Sequence, residues 1–159
     1  MNGQTCGLRW NRAHLGFPSR SADHRLADME YTADITPTEA HDMLVADEDA
    51  VLVDCRTQAE WTFVGVPEVD SSRFVEWTRW PDGGHNENFI RDVAGGLSPE
   101  QSVIVICRTG GRSAAAAAAL TQAGFAKVYN VTDGFEGHVG TDGHRAGGWK
   151  GAGLPWRQG

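Results

Sequence analysis

The sequence has no apolar run approaching the roughly 20 residues that a membrane-spanning helix needs. Its N-terminus also lacks the apolar core of a secretory signal. Positive charge is short: 14 Lys and Arg stand against 21 Asp and Glu, a formal charge of −7, which argues against nucleic acid as a main partner. Cysteine is scarce too. Cys6, Cys55 and Cys107 are its three instances and form no C-x-x-C pair, so neither a zinc ribbon nor a dithiol redox motif is written here. Three scattered cysteines suit free thiols in a reducing compartment, and the expectation is a cytoplasmic protein with no membrane partner. At 159 residues the chain has enough length for one full core and too little for two ordinary domains.

What is present is concentrated in residues 102–124. Val103 to Ile106 is a short β-branched run that reads as a buried strand. Ser113 to Ala123 is alanine-rich and reads as a helix, stopped by Gly124 at its C-terminus. Between them stand Cys107, Arg108, Thr109, Gly110, Gly111 and Arg112. Strand, glycine-bearing loop and helix together make an anion cradle, because free backbone N–H groups and the helix dipole converge at the helix N-terminus. A cysteine there has a lowered pKa and is available as a thiolate near neutral pH. A cysteine at the end of a central strand is ordinarily packing. Two guanidiniums and two glycines beside it are poor packing but a good environment for a thiolate and an anion.

The rest of the chain fits an α/β pattern. Residues 1–28 contain four arginines and two histidines without a periodic apolar face, and read as a disordered extension with Cys6 a bystander. Such composition suits either a transit peptide or a segment upstream of a start at Met29, and residues 29–159 are expected to form the single domain. Tyr31 to Ile35 reads as an edge strand. Thr36-Pro37-Thr38-Glu39 is a capping box that starts a helix running to about Ala46. Val51 to Cys55 reads as a buried strand, and Thr57-Gln58-Ala59-Glu60 as a second capping box opening a helix through Phe63. Ser72 to Trp77 is expected as a strand, Asn88 to Ala94 as a helix and Lys127 to Val131 as a strand. Strands alternating with helices predict a mostly parallel sheet covered on both faces, with ligands bound at the carboxyl ends of the strands, where Cys107 falls. Asp54 and Arg56, at such an end, read as a structural pair that ties down the neighbouring loop, and Cys55 reads as core.

Three motifs resemble the rhodanese sulfurtransferase family. Cys107-Arg108-Thr109-Gly110-Gly111-Arg112-Ser113 is similar to its Cys-Arg-x-Gly-x-Arg active-site loop. Val51-Leu52-Val53-Asp54-Cys55-Arg56 is similar to its apolar strand ending in Asp-x-Arg. Gly147-Gly148-Trp149 through Gly153-Leu154-Pro155 is similar to its C-terminal ending. The likeness spans about residues 30–157, with the motifs in family order. Val64-Gly65-Val66-Pro67-Glu68 departs from the family's His-Ile-Pro-Gly-Ala, and residues 133–148 form a longer connection than usual.

The resemblance implies a rhodanese-like fold and a sulfurtransferase whose Cys107 carries a persulfide. A small anionic sulfur donor such as thiosulfate would supply the sulfur, and cyanide, a thiol or a protein would accept it, with no metal or organic cofactor. Arg108 and Arg112 would bind the donor's oxyanion and lower the thiol pKa. Thr109 and Ser113 would add hydroxyl donors, and the amides of the Gly110-Gly111 loop would hold the persulfide. A carrier that hands its persulfide to one partner is an alternative. A cysteine phosphatase or arsenate reductase is a weaker one, since those use Cys-x5-Arg and only four residues separate Cys107 from Arg112. Trp77 and Trp80 suit either a rim over the loop or the core, with Trp149 and Trp156 packing the final turn. His85 reads as a surface residue, and the His138, Asp142 and His144 cluster in a glycine-rich loop is not read as a metal site.

Overall fold

The computed structural model describes residues 30–158; the extension 1–28, Cys6 included, lies outside the described residues. Among the described residues no helix is long and apolar enough to cross a membrane. The chain forms β1 (Ala33–Ile35), α1 (Pro37–Ala46), β2 (Val51–Asp54), α2 (Gln58–Val64), β3 (Val66–Pro67), β4 (Ser72–Phe74), α3 (Phe89–Ala94), β5 (Ser102–Ile106), α4 (Gly111–Gln122), β6 (Lys127–Val131), α5 (Gly148–Gly151) and β7 (Trp156–Arg157). Five strands form one sheet in the order β1-β6-β5-β2-β4, and every pairing in it is parallel. β3 and β7 make a separate antiparallel pair.

Two cores follow from strand parity. Side chains alternate across a strand. Val51, Val53, Val103 and Val105 therefore face one side, where they meet Phe89 and Val93 of α3 and Ala116, Ala117 and Leu120 of α4. Leu52, Ile104 and Ile106 face the other, against Ala40 of α1, Phe135 and Trp149. With both faces covered, β2 and β5 are buried at every residue, which is why they read as continuous apolar runs. The alanines of α4 let that helix lie close on the sheet.

The capping residues act as their local chemistry dictates. Thr36 with Glu39 and Thr57 with Glu60 each close a reciprocal capping box. At the end of α4, Gly124 takes φ +105°. There its N–H bonds the Thr121 carbonyl at 3.0 Å while the Phe125 N–H reaches Leu120 O at 3.2 Å, the paired geometry of a Schellman ending.

Several boundaries differ from expectation. The strand expected over Ser72 to Trp77 ends at Phe74, because the register then slips: Val75 N bonds Asp54 O and Trp77 N bonds Cys55 O, two residues of this segment against one of its partner. The first strand starts at Ala33 rather than Tyr31, and α4 begins at Gly111, two residues before Ser113. The tryptophans divide. Trp77 packs on the core, its ring edge-on to Phe89 and to exposed His85, whereas Trp80 is 64% exposed. Trp149 is fully buried and its Nε1 donates to Pro155 O at 2.8 Å, while Trp156 joins the β3–β7 pair.

Candidate active site

Cys107 is the first residue after β5, at the carboxyl edge of the sheet, and the loop to Ser113 turns over its sulfur. Gly110 adopts the left-handed conformation at φ +102° as the N-cap of α4, a backbone position that glycine takes without strain. The turn aims the Gly110 N–H at Cys107 Sγ, 3.1 Å away. Ser113 Oγ lies 3.2 Å from the same sulfur. The thiol is held down at about 4; the Cys55 thiol beside it has the largest influence, burial opposes it, and the Ser113 hydroxyl and the amides of Ser113 and Thr109 add to the lowering. Cys55 shifts the opposite way: its burial and the neighbouring Cys107 sulfur push it well above the ordinary thiol value.

The loop is strapped from behind. Phe135 N bonds Cys107 O at 2.8 Å and Glu136 N bonds Arg108 O at 3.1 Å. A Cβ at Gly134 would run into the Cys107 carbonyl and the Arg108 backbone, so this position holds glycine for close approach. Phe135 in turn lies under the Arg56 guanidinium, whose central carbon sits 4.1 Å from the ring centroid. Asp54 and Arg56 are both fully buried. Arg56 Nε donates to Asp54 Oδ1 at 2.9 Å and Nη2 to Gly65 O at 2.8 Å. The pair thus joins the end of β2, the turn after α2 and the strap behind the cysteine loop.

The two loop arginines have different surroundings. Arg112 Nη1 and Nη2 donate to Glu60 Oε2 and Oε1 at 2.8 and 2.7 Å. Burial alone would raise the Glu60 carboxyl, but the Arg112 and Thr57 donors outweigh it and bring it down to about 2. Arg112, with Glu60 its largest influence, moves above its already high value. The guanidinium expected to serve a substrate oxyanion is therefore occupied by a carboxylate that also closes the α2 capping box. Arg108 is exposed and has no ion-pair partner among the described residues. It lines an open cleft of about 370 Å³ with Trp80, Glu60 and Arg112. Thr109, Gly110 and Gly111 line a second cleft of about 320 Å³ together with Tyr31, Asp34 and Asn130. Cys107 itself is 1% exposed.

A chain of polar side chains behind Ser113 was not legible from sequence. Ser113 Oγ approaches Asn130 Oδ1 at 2.6 Å, and Asn130 Nδ2 donates to Asp34 Oδ1 at 2.7 Å. Tyr31 donates its hydroxyl to the same oxygen at 2.7 Å, and burial together with that carboxylate raises its pKa to about 12. Asp34 accepts only, so it orients the Asn130 amide, and Asn130 presents its oxygen to Ser113. Asp34, Asn130 and Ser113 come from β1, β6 and α4, with Tyr31 just before β1, and no motif links them. His138 and His144 are exposed in the 133–148 loop, and no group of three His, Cys, Asp or Glu side chains among the described residues is placed to hold a metal.

A titration checks the charge of the sulfur. The ultraviolet thiolate absorbance of Cys107, taken as a difference from Cys107→Ser, should have its midpoint near 4. At pH 6 the thiolate should be complete, whereas an ordinary cysteine is ionised at well under one part in about a hundred. A midpoint in the ordinary thiol range would remove the cradle argument. The lowered folded-state pKa also gives a sign for stability. The thiolate's contribution is complete above the unfolded thiol's 9.0 and is lost as pH falls through about 4.

Comparison with known proteins agrees with this geometry. The rhodanese-like domain family matches residues 36–140. The uncharacterized Rickettsia conorii protein RC0915 is 36% identical over 124 residues, 77% of this chain and 95% of that protein. The crystal structure of Rv0390 from M. tuberculosis superposes with a TM-score of 0.76 at 48% identity, covering 82% of this chain and all of the other. The polysulfide-sulfur transferase homodimer from Wolinella succinogenes gives a TM-score of 0.60 at 27% identity, over 86% of this chain and 84% of that one.

Proposed function

The chain belongs to the rhodanese-like domain family, a sulfur-transfer family, and from that premise we propose that it moves sulfane sulfur through a persulfide on Cys107. The observation that carries this reading is the Cys107 sulfur at the head of α4, 3.1 Å from the Gly110 amide and 3.2 Å from Ser113 Oγ, surroundings that hold its pKa down. The thiolate attacks the outer sulfur of an anionic donor such as thiosulfate. The donor's S–S bond breaks, sulfite leaves with the bonding electrons, and Cys107–S–S⁻ remains. A thiophilic acceptor, cyanide or a thiol, then attacks the terminal sulfur and releases the Cys107 thiolate. Two half-reactions through a covalent intermediate give ping-pong kinetics.

The persulfide's negative terminal sulfur is stabilised by the amides of the loop from Arg108 to Ser113, with the Thr109 hydroxyl as a further donor and the single Ser113 hydroxyl proton shared between sulfur and Asn130 Oδ1. Removing one preorganised donor of this type costs about 10²–10³ in rate. Arg108, exposed on the cleft and without an ion-pair partner among the described residues, takes the donor's oxyanion. Arg112 gives one Nη1 and one Nη2 proton to Glu60, which offsets its charge and holds the guanidinium in place, and keeps its remaining N–H groups for the site. Asp54 and Arg56 hold the strap behind the loop. The Wolinella relative is a polysulfide-sulfur transferase, and a polysulfide is likewise an anionic sulfane donor. Nothing in these steps calls for a metal or organic cofactor.

A second reading, delivery of the persulfide to a dedicated protein acceptor, is favoured by Trp80 on the cleft at 64% exposure and Phe63 of the adjoining α2 at 77%. Intact mass after incubation with thiosulfate, then with cyanide, tests the reading. One sulfur atom should be gained on Cys107 and discharged by cyanide. No gain on a free Cys107 thiol with either thiosulfate or polysulfide would overturn it.

A further inference from the structure

Cys55 is buried core by sequence, but the sheet register gives it a neighbour with chemistry. β2 and β5 are parallel, and Asp54 pairs with Ile106. The ladder continues one step further, with Cys55 N bonded to Ile106 O at 2.9 Å, which sets Cys55 alongside Cys107. Parity sends both side chains to the same face, since Cys55 follows Val51 and Val53 while Cys107 follows Val103 and Val105, all in one core. Adjacent strands lie about 4.8 Å apart, inside the Cα separation that a disulfide spans. Cys55 is fully buried and Cys107 is 1% exposed; both are free thiols. The loop over Cys107 and the helices on this face leave Cys55 reachable from the Cys107 sulfur and from little else.

We propose that Cys55 is a resolving thiol for Cys107, closing a reversible Cys55–Cys107 disulfide when a peroxide-class oxidant strikes the reactive sulfur. In the first step the Cys107 thiolate attacks one peroxide oxygen. The O–O bond breaks, hydroxide leaves, and Cys107 becomes a sulfenic acid. In the second, the Cys55 sulfur attacks the sulfenic sulfur, the S–O bond breaks, and the departing hydroxide takes the Cys55 proton to leave as water. Sulfur has then lost two electrons and peroxide has become hydroxide and water. The first step also prepares the second. Oxidation removes the negative charge on Cys107 that raises Cys55, so the Cys55 proton leaves more readily.

The expected bond is a labile one. Side chains directly abreast on parallel strands sit near the strand spacing, wider than the mean Cβ separation of about 3.8 Å in relaxed disulfides. Closing it draws the two strand ends together, and strained disulfides are the readily reduced ones. Reversibility matters chemically, because a sulfenic acid left unresolved proceeds to sulfinic acid, which thiols do not restore. The pairing requires Cys107 to be the reactive thiolate but not that it transfer sulfur.

Hydrogen peroxide is the probe, being small enough for buried sulfurs, and peptide mapping of the full chain is the readout. Trypsin should release residues 26–56 and 92–108 as one cross-linked species lighter by two hydrogens, and a monothiol should restore both free thiols. Cys55→Val, which keeps an apolar side chain in the core, should instead drive Cys107 to sulfinic acid that a monothiol does not restore. Cys55→Ser provides the same test should the valine variant fold poorly. Sulfinic acid on Cys107 of the unaltered protein with Cys55 still a free thiol would overturn the proposal, as would an unchanged mass or a cross-link to Cys6. A disulfide without persulfide formation from either thiosulfate or polysulfide would defeat the sulfur-transfer reading alone. A persulfide without the disulfide would defeat this proposal alone.

Discussion

Replacing Cys107 by serine is expected to abolish sulfur transfer, lowering turnover by a factor on the order of 10⁴ or more, the scale on which loss of a covalent nucleophile acts. Serine is nearly isosteric, and its hydroxyl can accept the same Gly110 N–H that now lies 3.1 Å from sulfur. The fold should therefore persist, with a melting temperature within about 3 °C of the parent. The two readouts separate chemistry from structure. Intact mass should show no added sulfur after thiosulfate, and the thiolate absorbance should vanish from the titration. Retained transfer would move the nucleophile to another residue, and a lost fold would make the cysteine structural. Because Cys55 sits beside Cys107, the same variant measures whether Cys55 takes up sulfur once its neighbour is gone. A protected, high-pKa thiol should not.

The largest effect on stability is expected at Arg56. Arg56→Ala leaves the Asp54 carboxylate fully buried with its guanidinium partner gone. It also removes the group stacked on Phe135 and frees the Gly65 carbonyl. Breaking a buried pair on one side costs about 3–5 kcal/mol, which for a domain of this size lowers the melting temperature by on the order of 10 °C. Replacing both partners, Asp54→Leu with Arg56→Met, should cost less than the single change, since no buried charge is left uncompensated. Thermal melts of the single and double variants, followed by circular dichroism, decide the point. A shift of only a degree or two for Arg56→Ala would mean that water or another donor reaches Asp54. Activity should fall with Arg56→Ala as well, because Phe135 bonds the Cys107 carbonyl and loses its overlying cation.

Much of the site was readable because its signals are local. Thr36 with Glu39, and Thr57 with Glu60, bond across three residues, so their capping boxes stand in the sequence as written. The Schellman ending at Gly124 and the left-handed N-cap at Gly110 are likewise turns within one stretch of chain. The contacts that were not readable join residues far apart. Glu60 and Arg112 are 52 residues apart, and the capping box gave Glu60 a complete local role. Asp34 and Asn130 are 96 apart, in strands whose adjacency depends on the order β1-β6-β5-β2-β4. Cys55 looked like packing because nothing near it in the chain reacts.

By itself the amino-acid sequence determined the strand–loop–helix around Cys107, the parallel α/β class and the family, because hydrophobic period, caps and glycine conformations act over a few residues. Only the tertiary structure decided which loop arginine pairs with Glu60, which tryptophan faces the cleft, and that two thiols lie abreast. Those outcomes depend on strand order and on a register in which a shift of one residue would turn Cys55 to the opposite face of the sheet.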